Sequence, residues 1–337
     1  MNLFKKAAVF TDLHLGLKSN SLAHNQDCAH FVDWFIGVAR QQGCETGIFC
    51  GDWHHHRASL NLQTLSIGMR AMERLSAAFD QFFVIPGNHD LYYKDSRSIF
   101  STEWARHLPN IQVLNEWTKT GDVIFVPWLV KDEHKKIATA SAQYMFGHFE
   151  LPHFKMNAMV EMPDHGEVKH EHFGGVGRVF SGHFHLRQQK HNINYIGNAF
   201  PHNFADAGDS ARGMMTLEWG QEPEYHAWPD QPLYTVVGLA ELIDRAADLL
   251  KPKMHVRVAL DIDISYEEAN YIKETFVKQY QLREMSLIPN KSAGVSEDLA
   301  PTDVHFESVD QIVIDQITNI DSEFYDSKLL LQIYQNL

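Results

Sequence analysis

At 337 residues the chain is long enough to bury a large core and to hold two domains, or one domain with a substantial appendage. Hydrophobic residues make up 44% of it, an ordinary share for a soluble globular protein. The formal net charge of −14 argues on its face against a nucleic-acid binder, but the 21 histidines are an unusual load and they cluster.

The opening segment, Ala7 to Phe10, reads as a buried strand that delivers Thr11-Asp12-Leu13-His14 at its end. This apolar run, which turns polar at Thr11 and Asp12, is too short for a signal segment or a membrane span. Ser21 can cap a helix with Phe31, Phe35, Val38 and Ala39 at helical spacing, stopped by Gly43. Gly47 to Cys50 is a second strand, followed by Gly51-Asp52. Leu62 to Phe79 is helical again, with Leu65, Met69, Met72 and Leu75 on one stripe. Phe82 to Ile85 is a third strand, broken by Pro86-Gly87. Alternating strands and helices indicate a layered α/β domain, whose ligand sites lie just beyond the strand ends.

Further short strands are expected around 123–126, 143–146, 178–180, 194–196 and 214–218, forming a second, denser β half. After Trp228 the histidine clusters end and prolines punctuate the chain. Met254 to Ile262 alternates like a strand, Ser265 to Glu268 is a capping box opening a helix, and Arg283 to Ile288 resembles another strand. Residues 290–303 read as a polar loop, with two closing helices near 309–320 and 327–335. The expected division is therefore 1–228 as the catalytic domain, 229–303 as a small α/β capping domain and 304–337 as a helical tail. Cys28, Cys44 and Cys50 make no C-x-x-C pattern, and so sparse and odd a count fits a reducing, cytoplasmic compartment.

The chemistry lies in five motifs taken in order: Asp12-Leu13-His14, Gly51-Asp52, Gly87-Asn88-His89-Asp90, Gly147-His148 and Gly182-His183-Phe184-His185. Each follows an apolar run. Histidine is the commonest metal ligand, and carboxylates beside it add the charge that cations need. Oxygen and imidazole donors without cysteine suit manganese, iron or zinc rather than calcium or a structural zinc site. Any one motif is as well explained by a turn or a helix cap. Five of matching chemistry at comparable positions are not.

This set, over roughly residues 7–220, resembles the calcineurin-like metallophosphoesterase superfamily. The resemblance implies a double-layered β sandwich flanked by helices and a site with two divalent ions, manganese being the favoured metal. It assigns Asp12, His14 and His185 to one ion, Asn88, His148 and His183 to the other, and Asp52 to both. A narrower resemblance is to SbcD-type DNA double-strand-break repair nucleases, most of all the recombination endonuclease subunits of tailed phages. It rests on the histidine three residues after Asp52, on Tyr195-Ile196-Gly197-Asn198 beyond the H-x-H motif, and on the capping region. Asn198 departs from the family's usual serine, and the His54-His55-His56 run leaves the functional histidine ambiguous, His55 being favoured by spacing.

By this resemblance the chain is a two-metal DNA exo- or endonuclease of recombination and repair, working as a homodimer with an SMC-like coiled-coil ATPase. His89 would protonate the leaving oxygen, with Asp90 fixing its tautomer, and His55 would position the scissile phosphate. Lys18, Arg57, Lys94, Arg97, Arg187 and Lys190 follow ligand motifs and could ring one mouth and contact DNA phosphates. The apolar residues of 21–38 offer a dimer face, and the stripe from Phe324 to Leu337 offers a docking element for the ATPase. The competing expectations are a metallophosphoesterase acting on a small phosphodiester or phosphoprotein, and a non-catalytic scaffold with a relict site.

Overall fold

The computed structural model describes residues 2–156, 160–164 and 168–289. Two six-stranded sheets make the body. The first runs in the order Glu224–Ala227, Gly213–Glu218, Lys6–Phe10, Thr46–Phe49, Gln81–Val84, Ile111–Val113. Its last four strands are parallel neighbours, and Gly213–Glu218 pairs antiparallel to Lys6–Phe10. The second runs Gln188–Lys190, Ile193–Tyr195, Val176–Gly182, Ala142–His148, Val123–Val126, Thr118–Thr120. Its four inner strands are parallel and each edge strand closes an antiparallel hairpin.

The sheets pack face to face through residues fully buried on both. Ala7, Val9, Ile48 and Phe83 of the first meet Phe125, Tyr144, Phe146 and Phe180 of the second, with the Phe83 and Phe125 rings stacked at 4.6 Å. The inner strands are apolar on both faces because both are covered, as parallel strands require. On the outer face of the first sheet lie helices Leu22–Gln41 and Leu62–Ala78, capped by Ser21 and Asn61 side chains that accept backbone N–H groups.

Three sequence expectations change here. The strand expected at 214–218 in the second β half is Gly213–Glu218 of the first sheet, where its bonds to Lys6–Phe10 close one flank. Met69 is not on the buried stripe of its helix. That stripe runs through Thr64, Gly68, Ala71, Met72, Leu75 and Ser76, because Gly68 lets the helix approach Leu15 and Trp53 closely. The apolar residues of 21–38 are likewise spent inward. Phe31, Val32, Phe35 and Ile36 are buried among Phe10, Phe79, Phe82 and Trp228, so they form core rather than a dimer face.

Beyond Ala227 a three-stranded parallel sheet, Tyr234–Gly238, His255–Leu260, Glu284–Pro289, is connected by helices Leu239–Leu249 and Tyr266–Gln279. The strand at 234–238 and the helix at 239–249 carried no signal strong enough to be expected. The helix is amphipathic, and Leu239, Leu242 and Ala246 bury against Val256 and Val258. This small unit touches the body through Arg283, whose guanidinium binds both oxygens of Asp27 at 2.5 and 2.7 Å, and through Lys18, which donates to Tyr234 Oη. The expected loop at 290–303 and helical tail at 304–337 lie outside the described residues.

Candidate metal centre

All five motifs come off strand ends onto loops that meet. The loops are laced together by main-chain bonds: Asp12 N–H donates to the Gly51 carbonyl, His14 N–H to that of Asp52 and Leu15 N–H to that of Trp53. His183 N–H donates to the Asp12 carboxylate, and His89 N–H to Asp52 Oδ1 at 2.8 Å. Asp12, His14, Asp52 and His183 all have positive φ, at 53°, 53°, 63° and 88°. Such conformations cost on the order of 1–3 kcal/mol each and persist only where the surroundings dictate them. Four of the seven candidate ligands take such a conformation, held there by the bonds between the loops.

The motif glycines are there for clearance. A Cβ on Gly87 would lie 2.3 Å from Asp52 Oδ1, and one on Gly51, at φ 103°, would lie 2.4 Å from His148 Nδ1. Neither position tolerates a side chain while the carboxylate and imidazole stay where they are.

Asp52 sits between two groups of donors. Its Oδ2 is 3.5 Å from His14 Nε2 and 3.4 Å from His148 Nε2. On the first side His14 Nε2 and His185 Nε2 face each other at 3.2 Å, and Asp12 Oδ1 lies 3.8 Å from each. On the second side Asn88 Oδ1 is 3.0 Å from both His148 Nε2 and His183 Nδ1. Ligand atoms each about 2 Å from one ion stand roughly 3 Å apart at neighbouring positions. The spacing and the nitrogen and oxygen donor set therefore suit divalent metal ions.

Electrostatics agree. Burial penalises the ionised Asp52, but His148 and His14 outweigh it and hold the carboxyl well below its ordinary range. Burial likewise pulls His148 down, yet the Asp52 and Asp12 charges raise it to about 9. Buried carboxylates thus gather positive charge around them, which is what a cation would supply.

Outer partners fix the rings. His148 Nδ1 donates to the Cys50 carbonyl at 2.7 Å, leaving Nε2 to face Asp52 and Asn88. His183 Nε2 meets the Glu150 carboxylate at 3.1 Å. Such contacts set tautomer and orientation in metal-binding histidines. Glu150 escaped sequence reasoning, although its place two residues after His148 was a signal.

Among the three consecutive histidines, His54 is fully buried with Nδ1 on Ser101 Oγ, and burial pushes it down to about 3. His55 instead joins the cluster. Its Nδ1 is 3.3 Å from His14 Nδ1, and its ring stacks on His89 at 5.1 Å. His89 Nδ1 donates to the His55 carbonyl at 2.7 Å, and burial pulls its imidazole below the ordinary value.

Asp90 does not fix the His89 tautomer. Its carboxylate accepts from the backbone N–H groups of Asp52, Trp53, His54 and Gly87 and from the Ser101 hydroxyl, so it is already fully engaged. It holds two ligand loops in register, and the His55 carbonyl takes the tautomer-fixing part.

The expected basic rim is also thinner than its residue list. Arg97 makes a bidentate pair with Glu133 and donates to the carbonyls of Asn115 and Trp128. Arg187 donates to the Ile196 carbonyl and stacks over Tyr225. Lys190 donates to the His153 carbonyl, and Lys18 is spent on the small unit. Of the six, Lys94 is exposed and Arg57 half-buried close enough to His89 for its charge to be felt there. Trp128, unanticipated, lies with its ring 5.1 Å from that of His183. Asn198, where the resemblance expected serine, is buried and accepts from Arg212 Nη1.

No family model matches the chain. It is similar to a phage nuclease subunit. Exonuclease subunit 1 of Enterobacteria phage T4 is 29% identical over 218 residues, which cover 61% of this chain and 62% of that protein, so the chain spans less than two thirds of its relative's length. Among solved structures, the Pseudomonas putida nuclease MPE aligns over 53% of this chain and 61% of its own at 18% identity, with a TM-score of 0.28.

Proposed function

We propose that the chain is a two-metal DNA nuclease with the calcineurin-like metallophosphoesterase fold. The observation that carries this reading is Asp52, one buried carboxylate lying 3.5 Å from His14 and 3.4 Å from His148, between two sets of nitrogen and oxygen donors. Asp12, His14 and His185 would hold one ion, Asn88, His148 and His183 the other, with Asp52 shared. When bound, divalent ions such as manganese supply the Lewis acidity and concentrated positive charge that phosphodiester hydrolysis needs. Similarity to the phage exonuclease subunit supports nucleic acid as the substrate.

The chain's own residues handle protons and substrate. With Nδ1–H held by the His55 carbonyl, the proton-handling atom of His89 is Nε2. Its depressed pKa makes the imidazolium, once formed, a stronger acid towards the leaving oxygen. If His14 binds through Nε2, its Nδ1 carries the proton and donates to His55 Nδ1. His55 then presents Nε2–H, a donor suited to a phosphate oxygen. Lys94 and Arg57 would contact flanking phosphates.

Working with an SMC-like ATPase and as a homodimer remains part of the proposal, drawn from the resemblance. With few free cations at the mouth, a partner or second copy would supply DNA affinity that the isolated chain lacks. The test is manganese-dependent hydrolysis of linear duplex DNA against a small phosphodiester, comparing wild type with His89→Ala. We expect duplex degradation, a loss of roughly 10²–10⁴ in turnover in the variant, and unchanged metal content. Hydrolysis of the small ester alone would replace DNA with a small substrate, and metal loss in the variant would make His89 a ligand.

A further inference from the structure

A fifth nitrogen donor, beyond the four histidines assigned to the two ions, approaches the centre from a stretch outside the five motifs. His202 follows the second sheet, and only 1% of its surface is exposed. Neither ring nitrogen has a hydrogen-bond partner. A buried imidazole normally pairs at least one nitrogen, because leaving a buried polar atom unmet costs about 1–3 kcal/mol. This ring forms a triangle with those of His14 and His185, at centroid distances of 5.4 and 5.1 Å and nearly perpendicular to both. One nitrogen from each of the three histidines falls within 4.8 Å of the other two.

The backbone holds the residue in this place deliberately. His202 N–H donates to Asp206 Oδ2 at 2.8 Å, and its carbonyl accepts from Tyr234 Oη at 2.9 Å. Asp206 is in turn clamped by the buried Arg212, which also binds Asp209 and Asn198. The remaining neighbours of the ring, His24 and Phe200, offer no bond: His24 Nε2 is taken by the His14 carbonyl. A ring fixed by its main chain, unpaired at both nitrogens and turned towards two candidate ligands has the arrangement of a ligand rather than of core filler.

We propose that His202 is a further protein ligand of the ion held by Asp12, His14 and His185, making that site rich in imidazole while the site of Asn88, His148 and His183 has two. The inference rests on the metal-centre reading above. An extra imidazole favours borderline transition metals over magnesium or calcium, which prefer oxygen donors.

The test uses the full chain loaded with cobalt(II) or manganese(II). Pulsed electron paramagnetic resonance of the wild type should count three imidazole nitrogens at one site and two at the other. His202→Gln and His202→Phe, the second keeping the ring's volume, should weaken one of the two binding equivalents by about 10–100-fold, by analogy with disturbed metal-site partners, and shift the cobalt visible bands. Two imidazoles at each site, or variants that keep both affinities and an unchanged spectrum, would overturn the proposal while leaving the metal centre standing. A wild type that takes up no metal would instead overturn the metal-centre reading itself. Should both variants fail to fold, the nitrogen count on the wild type still decides.

Discussion

Two buried aspartates of the ligand motifs do opposite work. Asp52 turns its carboxylate into the cluster, and Asp90 turns its own away from it, towards five donors. For Asp52→Ala we expect both metal equivalents to be lost together with catalysis, since one carboxylate serves both groups of donors; elemental analysis showing two ions per chain would refute its shared role. For Asp90→Ala the loss is first one of stability. Several buried N–H groups are left unmet, each costing about 1–3 kcal/mol, so the denaturation midpoint should fall steeply, and metal affinity with it. An unchanged midpoint would mean that water replaces the carboxylate. What sequence could show at this scale was the chemistry that comes in pairs: D-x-H, G-D and G-H-x-H announce themselves because ligand and turn residues stand side by side. Trp128 and His202 stand alone in sequence and gain meaning only from the fold.

At the scale of elements, strand ends were legible because apolar runs stop where ligand motifs begin, and the two long helices because their core positions recur with helical period. Pairing was not. Gly213–Glu218 has the same apolar character as the strands of the second sheet, and only its bonds to Lys6–Phe10 place it in the first. The helix at Leu62–Ala78 misled through Met69, since a glycine and an alanine, not the largest side chains, face the core where the packing is closest. The same logic of clearance yields a prediction for Gly87, where two strand-end loops cross. Gly87→Ala places a methyl group 2.3 Å from Asp52 Oδ1 and 2.6 Å from its backbone nitrogen, so the loops must separate. Overpacking of this kind costs typically 1–3 kcal/mol. We expect a lower melting temperature and weakened uptake of both ions, measured by calorimetric titration; a variant with wild-type affinity would show that the loops can part without moving the carboxylate.

For the molecule as a whole the open question is what the three-stranded unit does for the centre it adjoins. It is anchored by Arg283 on Asp27, a carboxylate only 2% exposed, while the guanidinium is 22% exposed. Removing the cation strands a buried charge, and losses of about 3–5 kcal/mol are typical of such cases; the partial exposure of Arg283 and the neighbouring Lys18 place this one at the low end. The contact also reaches the chemistry. Lys18 lies four residues beyond His14 and donates to Tyr234, and Tyr234 in turn donates to the His202 carbonyl. Loosening the unit should therefore disturb the His14 and His185 side of the centre and spare the Asn88 side. We expect Arg283→Met to destabilise the chain by about 3 kcal/mol and to weaken one metal equivalent but not the other. Asp27→Asn combined with Arg283→Met should cost less than the sum of the two, by a coupling of roughly 1–3 kcal/mol. Urea denaturation measures the first effect and metal titration the second. A loss of stability with both affinities intact would make the unit an anchor with no influence on the ions, and equal weakening of both would point to a general loosening of the sandwich rather than to the path through Tyr234.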